Sequence, residues 1–287
     1  MSAVEMIEAD IEVARPFIKF AGGKGQLVPV LLEHVPSKFA TYFEPFVGGG
    51  SFYYALHNRG LIRKHAVLGD ANVRLINAYR GVRDEPAKVI TLLRNMRDDK
   101  KTFLLVRTRF NQSLGGENLA LHAARFLYLN RTCFNGLYRV NKKDGFNVPY
   151  DASRKGKRTI CDEDRIRLAA GALTQHARFV IGDFEKTLRG AKRGDLVYAD
   201  PPYDPKSESA DFTAYTKDGF TAADQERLRD LMLALKRKGV HVIVSSPDTP
   251  RIRKLYARGF KMRRVEARRA INSKVDLRGP VGEVILT

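Results

Sequence analysis

Residues 41–58 read Thr41-Tyr42-Phe43-Glu44-Pro45-Phe46-Val47-Gly48-Gly49-Gly50-Ser51-Phe52-Tyr53-Tyr54-Ala55-Leu56-His57-Asn58. Thr41–Val47 is an extended apolar run, the three glycines turn the chain, and Ser51–Asn58 reads as a helix with Ser51 near its start. His65–Asp70 (HAVLGD) follows as a second short apolar strand. Strand, helix, strand in this order is the unit from which parallel α/β sheets are built.

Downstream, Asp84 and Pro86 read as an N-cap and first-turn pair. Residues 86–132 have a mostly helical pattern, broken at Ser113–Glu117. After Asp162 the alternation resumes: strands at Ala177–Ile181, Asp195–Ala199, Val240–Ser246, Phe260–Arg268 and Val281–Thr287. Helices are predicted from Phe184, over Thr221–Lys238 with Thr221 as cap and Asp224 in the first turns, and over Thr249–Arg258. The middle departs from this rhythm. Residues 130–158 hold eight bases against Asp144 and Asp151, interleaved with Phe134, Tyr138, Phe146 and Tyr150, and a hairpin turning near Lys142–Gly145 fits them. The fold class predicted is α/β, a parallel sheet with helices on both faces and a small helical and hairpin insertion, with residues 1–70 and 159–287 as one domain and 71–158 as the other.

The chain of 287 residues has 51 Lys plus Arg against 32 Asp plus Glu, a formal charge of +19. Its first fourteen residues hold four acids (Glu5, Glu8, Asp10, Glu12) and no base, so the remainder is more basic still. Such a field favours a polyanionic partner, nucleic acid first, with a merely solvated basic surface as the alternative. No apolar run approaches the ~18–20 residues that span a bilayer, and the acidic start has the wrong sign for a signal peptide. Cys133 and Cys161 are too few for a disulfide framework or a Cys-rich zinc site, and the six histidines show no metal-ligand spacing. These features predict a metal-free protein of a reducing compartment, the cytoplasm.

Three motifs carry chemistry. In the glycine turn, Gly48 and Gly50 let backbone approach a ligand at the carboxyl end of the sheet, and Asp70 ends the next strand at a distance suited to ribose hydroxyls. Tyr53 stands where a dinucleotide fingerprint has its third glycine, so the turn alone reads equally as a plain tight turn. Ala21-Gly22-Gly23-Lys24-Gly25-Gln26 lacks the spacing of a nucleotide-triphosphatase loop but can bring Lys24 to a carboxylate. Asp200-Pro201-Pro202-Tyr203 ends a buried strand. Its prolines remove N–H donors and leave bare carbonyls beside a carboxylate, a set of acceptors suited to gripping an amino group, and Tyr203 offers a face for a flipped base.

Taken together, the chain resembles the Dam-type DNA adenine-N6 methyltransferases from Phe17 to its C-terminus. The matching stretches are FIKFAGGKGQL (17–27), FEPFVGGGSF (43–52), GDANVRLINAY (69–79), LNRTCFNGLYRVNKKDGFNVPY (129–150), GDF (182–184), DPPY (200–203), FTAYTKDGFTAADQERL (212–228) and VSSPDTPRIRKLY (244–256). The resemblance implies a Rossmann-like methyltransferase sheet with an inserted target-recognition domain. It implies S-adenosylmethionine as donor, S-adenosylhomocysteine as product, double-stranded DNA as partner, and neither a metal nor an obligate protein partner. Phe20, Lys24, Glu44, Pro45, Phe46, Gly48, Asp70, Asp183, Phe184 and Asp200 would line the cofactor. Asp200, Pro201, Pro202 and Tyr203 would form the catalytic loop, and Lys19, Asn135, Leu137, Arg139, Asn141 and Pro149 would face DNA, with GATC as the first expected site. Two positions depart from the pattern: Phe20 stands where Trp is frequent, and Tyr150-Asp151-Ala152 follows FNVP where GATC-specific members carry Phe-Gly-Arg. Cytosine-N4 transfer, N-methylation of RNA or of a protein glutamine, and a DNA-binding module with a dead cofactor fold are the rival readings.

Overall fold

The computed structural model describes residues 13–20, 24–114, 116, 118–141, 143–202, 219–268 and 280–287. Helix α1 (Val28–Leu32) precedes β1 (Thr41–Glu44), α2 (Ser51–Asn58) and β2 (His65–Asp70). Beyond β1 the chain stays tied to the sheet, since Val47 N–H donates to the Gly69 carbonyl at 2.9 Å. Gly50 occupies the cap of α2 with φ 71°, a left-handed conformation in which a Cβ would stand 2.9 Å from the Tyr79 hydroxyl. The glycine is therefore required twice, by torsion and by space.

Four helices follow: α3 (Val73–Asp84), α4 (Pro86–Arg94), α5 (Lys100–Asn111) and α6 (Leu119–Thr132). Asp84 is not the cap of α4. It is the last residue of α3, paired with Arg83 at 2.6 Å, and Glu85 holds the cap position without a side-chain bond. The apolar face Ile76–Tyr79–Val82 carries α3 on to that point, and Pro86 starts the next helix. A further break falls at Asn95–Asp99, where the Asp99 carboxylate accepts from Thr102 N–H at 2.7 Å to open α5. The remaining elements are α7 (Glu163–His176), β3 (Ala177–Ile181), α8 (Phe184–Leu188), β4 (Leu196–Ala199), α9 (Ala222–Arg237), β5 (His241–Pro247), α10 (Pro250–Leu255), β6 (Met262–Arg268) and β7 (Pro280–Leu286). Helix α9 opens with a complete capping box of Thr221 and Asp224.

The seven strands run in the order β3-β2-β1-β4-β5-β7-β6, with the first five parallel and β7 antiparallel to both neighbours. Residues alternate between two cores. Tyr42 and Tyr198 face Phe52 and Leu68, whereas Phe43, Val197 and Ala199 face Leu228 and Met232 of α9. The sheet is thus covered on both faces, as buried parallel strands require, and the fold is Rossmann-like. The chain runs outward from β1 to β3 and then returns to β4 on the other side of β1. That reversal opens a crevice at the carboxyl ends of β1 and β4, where ligands bind in folds of this class.

Phe103, Phe110 and Phe126 of the helices α5 and α6 belong to the same core as Tyr42 and Leu68. Among the described residues, the hairpin predicted at 130–150 shows two isolated antiparallel bridges, Cys133 with Tyr150 and Val140 with Phe146, in place of a continuous ladder. Its turn is closed by Asn141, whose Oδ1 accepts from Lys143 and Gly145 N–H at 2.9 and 3.0 Å. Among the described residues, no helix is long and apolar enough to cross a membrane.

Helices α3 and α6 meet at Gly81, where a Cβ would lie 2.2 Å from the Leu119 carbonyl oxygen. Gly81→Ala, a change that favours an ordinary helix by about 0.5–1 kcal/mol, should here destabilise by about 1–3 kcal/mol through overpacking. Urea unfolding checks it, and an unchanged or raised midpoint would contradict the close crossing.

Candidate active site

Strand β4 delivers Asp200 to the crevice. Its Oδ1 receives two bonds, from Lys24 Nζ at 2.9 Å and from Ser245 Oγ at 2.9 Å, and Ser245 in turn lies 2.9 Å from the Tyr198 hydroxyl. Lys24 is only 7% exposed, so its charge acts in a poorly screened setting. Behind Asp200, Pro201 is buried and the Pro202 carbonyl accepts from Gln225 Nε2 of α9 at 3.3 Å. Tyr203 and residues 21–23 of the Lys24 loop lie outside the described residues.

Glu44 ends β1 and is 3% exposed. Tyr42 donates to its Oε2 at 2.9 Å, and the Tyr53 N–H bonds to it as well. Burial pushes its pKa well above the usual carboxylate range despite those bonds, and the negative charges of Asp200 and Asp70 push in the same direction. Asp70 ends β2 and accepts from Gly48 N–H at 3.3 Å and Asn72 N–H at 2.9 Å. Burial outweighs these bonds and raises its pKa to about 6. The glycine turn is cradled from both sides: Tyr79 donates to the Gly48 carbonyl at 3.0 Å, and the Phe20 ring lies where a Cβ on Gly48 would approach to 3.3 Å. Pro45 is buried beneath the turn, and Phe46 packs against Phe184 and Phe220, with ring centroids 5.8 and 5.6 Å away.

Asp183 caps α8, accepting from Glu185 N–H at 2.9 Å, and also pairs with Arg227 at 3.2 Å. The Arg227 guanidinium lies 5.0 Å from the Phe184 ring centre. The residues expected to line a cofactor are therefore brought together from the ends of β1, β2, β4 and the start of α8. Sequence reading gave no role to Ser245, Gln225 or Arg227. For Ser245 the signal was present, since VSSPDTP ends a strand next to the one carrying Asp200; for the other two it was only helical spacing from Thr221 and Asp224.

Beside this cluster lies the hairpin. Asn130 holds it to the segment carrying Lys19: it accepts from Lys19 N–H at 2.8 Å and donates to the Lys19 and Gly136 carbonyls at 2.8 and 2.9 Å. Asn135 is exposed with φ 56°, Phe134 beside it is 44% exposed, and Pro149 is exposed. Leu137 and Arg139 are half-buried, with Arg139 Nε donating to Asn147 Oδ1 at 2.9 Å. Burial, and after it the positive charges of Arg154 and Arg131, draw the pKa of exposed Lys19 below its ordinary value. Not every base of this region faces outward. Arg131 donates to the Phe17 carbonyl at 3.1 Å, and buried Arg158 pairs with Asp98 at 3.2 Å while donating to the Thr132 and Asp151 carbonyls.

A family model described as D12 class N6 adenine-specific DNA methyltransferase matches residues 20–271. The chain belongs to this family. The D12-class assignment is supported over nearly the whole length by relatives. One is the type II methyltransferase M1.LlaDCHI of Lactococcus lactis subsp. cremoris, 40% identical over 95% of each chain. Another is the DNA adenine methylase of Vibrio cholerae serotype O1, 36% identical over 94% of this chain and 95% of the relative. A third is the DNA adenine methylase of Escherichia coli K12, 33% identical over 94% of both. The resemblance read from the motifs is thereby borne out, and with it an adenine-specific DNA methyltransferase activity class, which implies S-adenosylmethionine and a DNA substrate.

Asp70 generates a pH prediction. Its ordinary pKa is 3.8, and in the folded chain it is about 6. Between these values the folded chain holds a proton that the unfolded chain has released, so stability falls as pH rises from about 4 to about 6. Asp70→Asn has no such proton. Its unfolding free energy relative to wild type should climb across that window and level off above it. Denaturant titrations at a series of pH values measure this, and a flat difference would place Asp70 in a solvated setting.

Proposed function

We propose that this enzyme transfers the methyl group of S-adenosylmethionine to N6 of an adenine turned out of duplex DNA, in a short site of which GATC is the first candidate. One observation carries the reading. Asp200, held at one oxygen, is followed by two prolines at the sheet's reversal point, so a carboxylate and donor-free carbonyls stand beside a crowd of buried acids. Phe20, Lys24, the turn from Glu44, Pro45 and Phe46 to Gly48, Asp70, Asp183, Phe184 and Asp200 would hold the cofactor. The chemistry of this donor set supports the fit, because a sulfonium cation placed beside Glu44, Asp70 and Asp200 would favour their ionised forms and gain from them in turn. When bound, the cofactor supplies a methyl group already activated by its positive sulfur.

The protein's own residues then have two tasks. Asp200 and the Pro201 carbonyl accept the two N–H bonds of the adenine amine, which directs the nitrogen lone pair out of the ring plane and toward the methyl carbon. The Asp200 carboxylate also stabilises the positive charge that grows on N6 as the nitrogen–methyl bond forms and the methyl–sulfur bond breaks, and one amine proton is then lost to solvent. Tyr203 would stack on the extruded base. Covalent catalysis of the cytosine-C5 kind has no support here. The Cys133 thiol is buried, donates to the Leu137 carbonyl at 3.2 Å and has its pKa pushed up to about 12.

The 71–158 segment would read the DNA. Arg139 can make a bidentate pair with guanine, Leu137 and Pro149 can pack on a thymine methyl, and Lys19, Asn135 and Asn141 can contact the duplex. The Tyr150–Asp151 departure is turned inward: Tyr150 donates to Asp98 at 2.9 Å and Asp151 N–H to the Thr132 carbonyl at 3.0 Å. One flanking position of the site would accordingly be relaxed. This reading places the enzyme in the cytoplasm, with DNA.

Asp200→Ala should abolish methyl incorporation into duplex DNA while DNA binding persists; a variant keeping a tenth of wild-type turnover would remove Asp200 from the chemistry. Arg139→Ala should lose discrimination at one guanine, worth ~1–3 kcal/mol, more than overall affinity. Modified-base sequencing decides this, since sequence logos identical to wild type would mean that Arg139 reads no base.

A further inference from the structure

We infer that Ser245, backed by Tyr198, is the positioning residue that sets which oxygen of Asp200 meets the target amine; the inference rests on the role proposed for Asp200. Strand pairing puts the two side by side. Ala199 and Val244 are register partners on β4 and β5, so Asp200 and Ser245 are the next residues on adjacent parallel strands. Ser245 is 0% exposed, and a hydroxyl there costs desolvation unless it is bonded. It has one proton, and the carboxylate can only accept, so the 2.9 Å bond to Asp200 Oδ1 uses that proton. The 2.9 Å contact with Tyr198 then has one possible direction, with the phenol donating to the Ser245 oxygen. Tyr198 is itself fixed by an edge contact with Phe52 at 4.7 Å between ring centroids, and burial among acids keeps its proton on.

The outcome is a chain of donors, Tyr198 to Ser245 to Asp200, ending on the oxygen that Lys24 also holds. A terminal carboxylate torsion is broad, and rotamer preference alone does not fix it. Two donors on Oδ1 do fix it, and they leave Oδ2 as the oxygen presented to the amine. Ser245 thus acts through Asp200 and touches no reacting atom.

Steady-state kinetics on duplex DNA test this. Ser245→Ala should lower kcat about tenfold, the scale of a small misplacement of a reacting group, with KM for DNA and for S-adenosylmethionine within about twofold of wild type. Tyr198→Phe should show a smaller loss of the same kind. The double variant Ser245→Ala/Tyr198→Phe should be no slower than Ser245→Ala, because the chain is already cut, and it leaves no buried phenol without a partner should the single variant fold poorly. Wild-type kcat in Ser245→Ala, a loss confined to KM, or multiplicative losses in the double variant would each overturn the inference. Asp200→Ala separates the two levels: if it stays active, the role of Asp200 falls and this inference with it. If it is dead while Ser245→Ala runs at the wild-type rate, only the positioning role falls.

Discussion

Three carboxylates, Glu44, Asp70 and Asp200, end three neighbouring strands at the point where the strand order reverses, and much of the structure answers to that crowding. Each taken alone would be a minor feature. Burial raises the cost of ionising Glu44 and Asp70, and at Glu44 the negative charges of Asp200 and Asp70 add to it. The fold offsets this with one buried cation, Lys24, and with directed donors: Tyr42 on Glu44, backbone N–H groups on Asp70 and Ser245 on Asp200. A local conflict with the rule that buried charge is avoided is the usual mark of a functional site, and the cationic methyl donor proposed for this crevice would relieve it.

The hairpin is held by a second kind of interaction. Backbone bonds such as Phe134 N–H to the Pro149 carbonyl and Asn147 N–H to the Arg139 carbonyl close it on itself, and side chains fasten it to the rest of the protein. Asn130 ties it to the segment carrying Lys19, Asn111 exchanges two hydrogen bonds with the Phe146 backbone at 2.8 and 3.1 Å, and buried Arg74 grips Asp144 at 2.6 Å. Tyr138 stacks on Phe126 at 5.3 Å and lies 6.0 Å from Phe20, so one aromatic row runs from the hairpin to the wall of the glycine turn. The hairpin and the glycine turn therefore share rigid parts.

Charge shows how a bulk property divides on folding. The excess of +19 points correctly to a polyanionic partner, but it overstates the bases available to it. Arg74, Arg131 and Arg158 spend their guanidinium groups on carbonyls and carboxylates inside the protein. Arginine suits this because its planar fork satisfies several acceptors at once.

The order of strands and helices, the glycine turn, the Thr221 capping box and the place of Asp200 just past a buried strand were legible in the residues, because each depends on neighbours a few positions away. The family followed from several such motifs in one order. The end of α3 at Asp84 was misread, since an apolar face spaced for helix packing overrode a local cap signal. What only the tertiary structure decided is which side chains share an oxygen or a ring. Ser245 reaches Asp200 from 45 positions away, Asn130 reaches Lys19 from 111, and Arg227 covers Phe184 from another helix. Local pattern sets torsions and burial faces, whereas partnership across a sheet depends on strand order and register, and those are fixed only when the whole core packs.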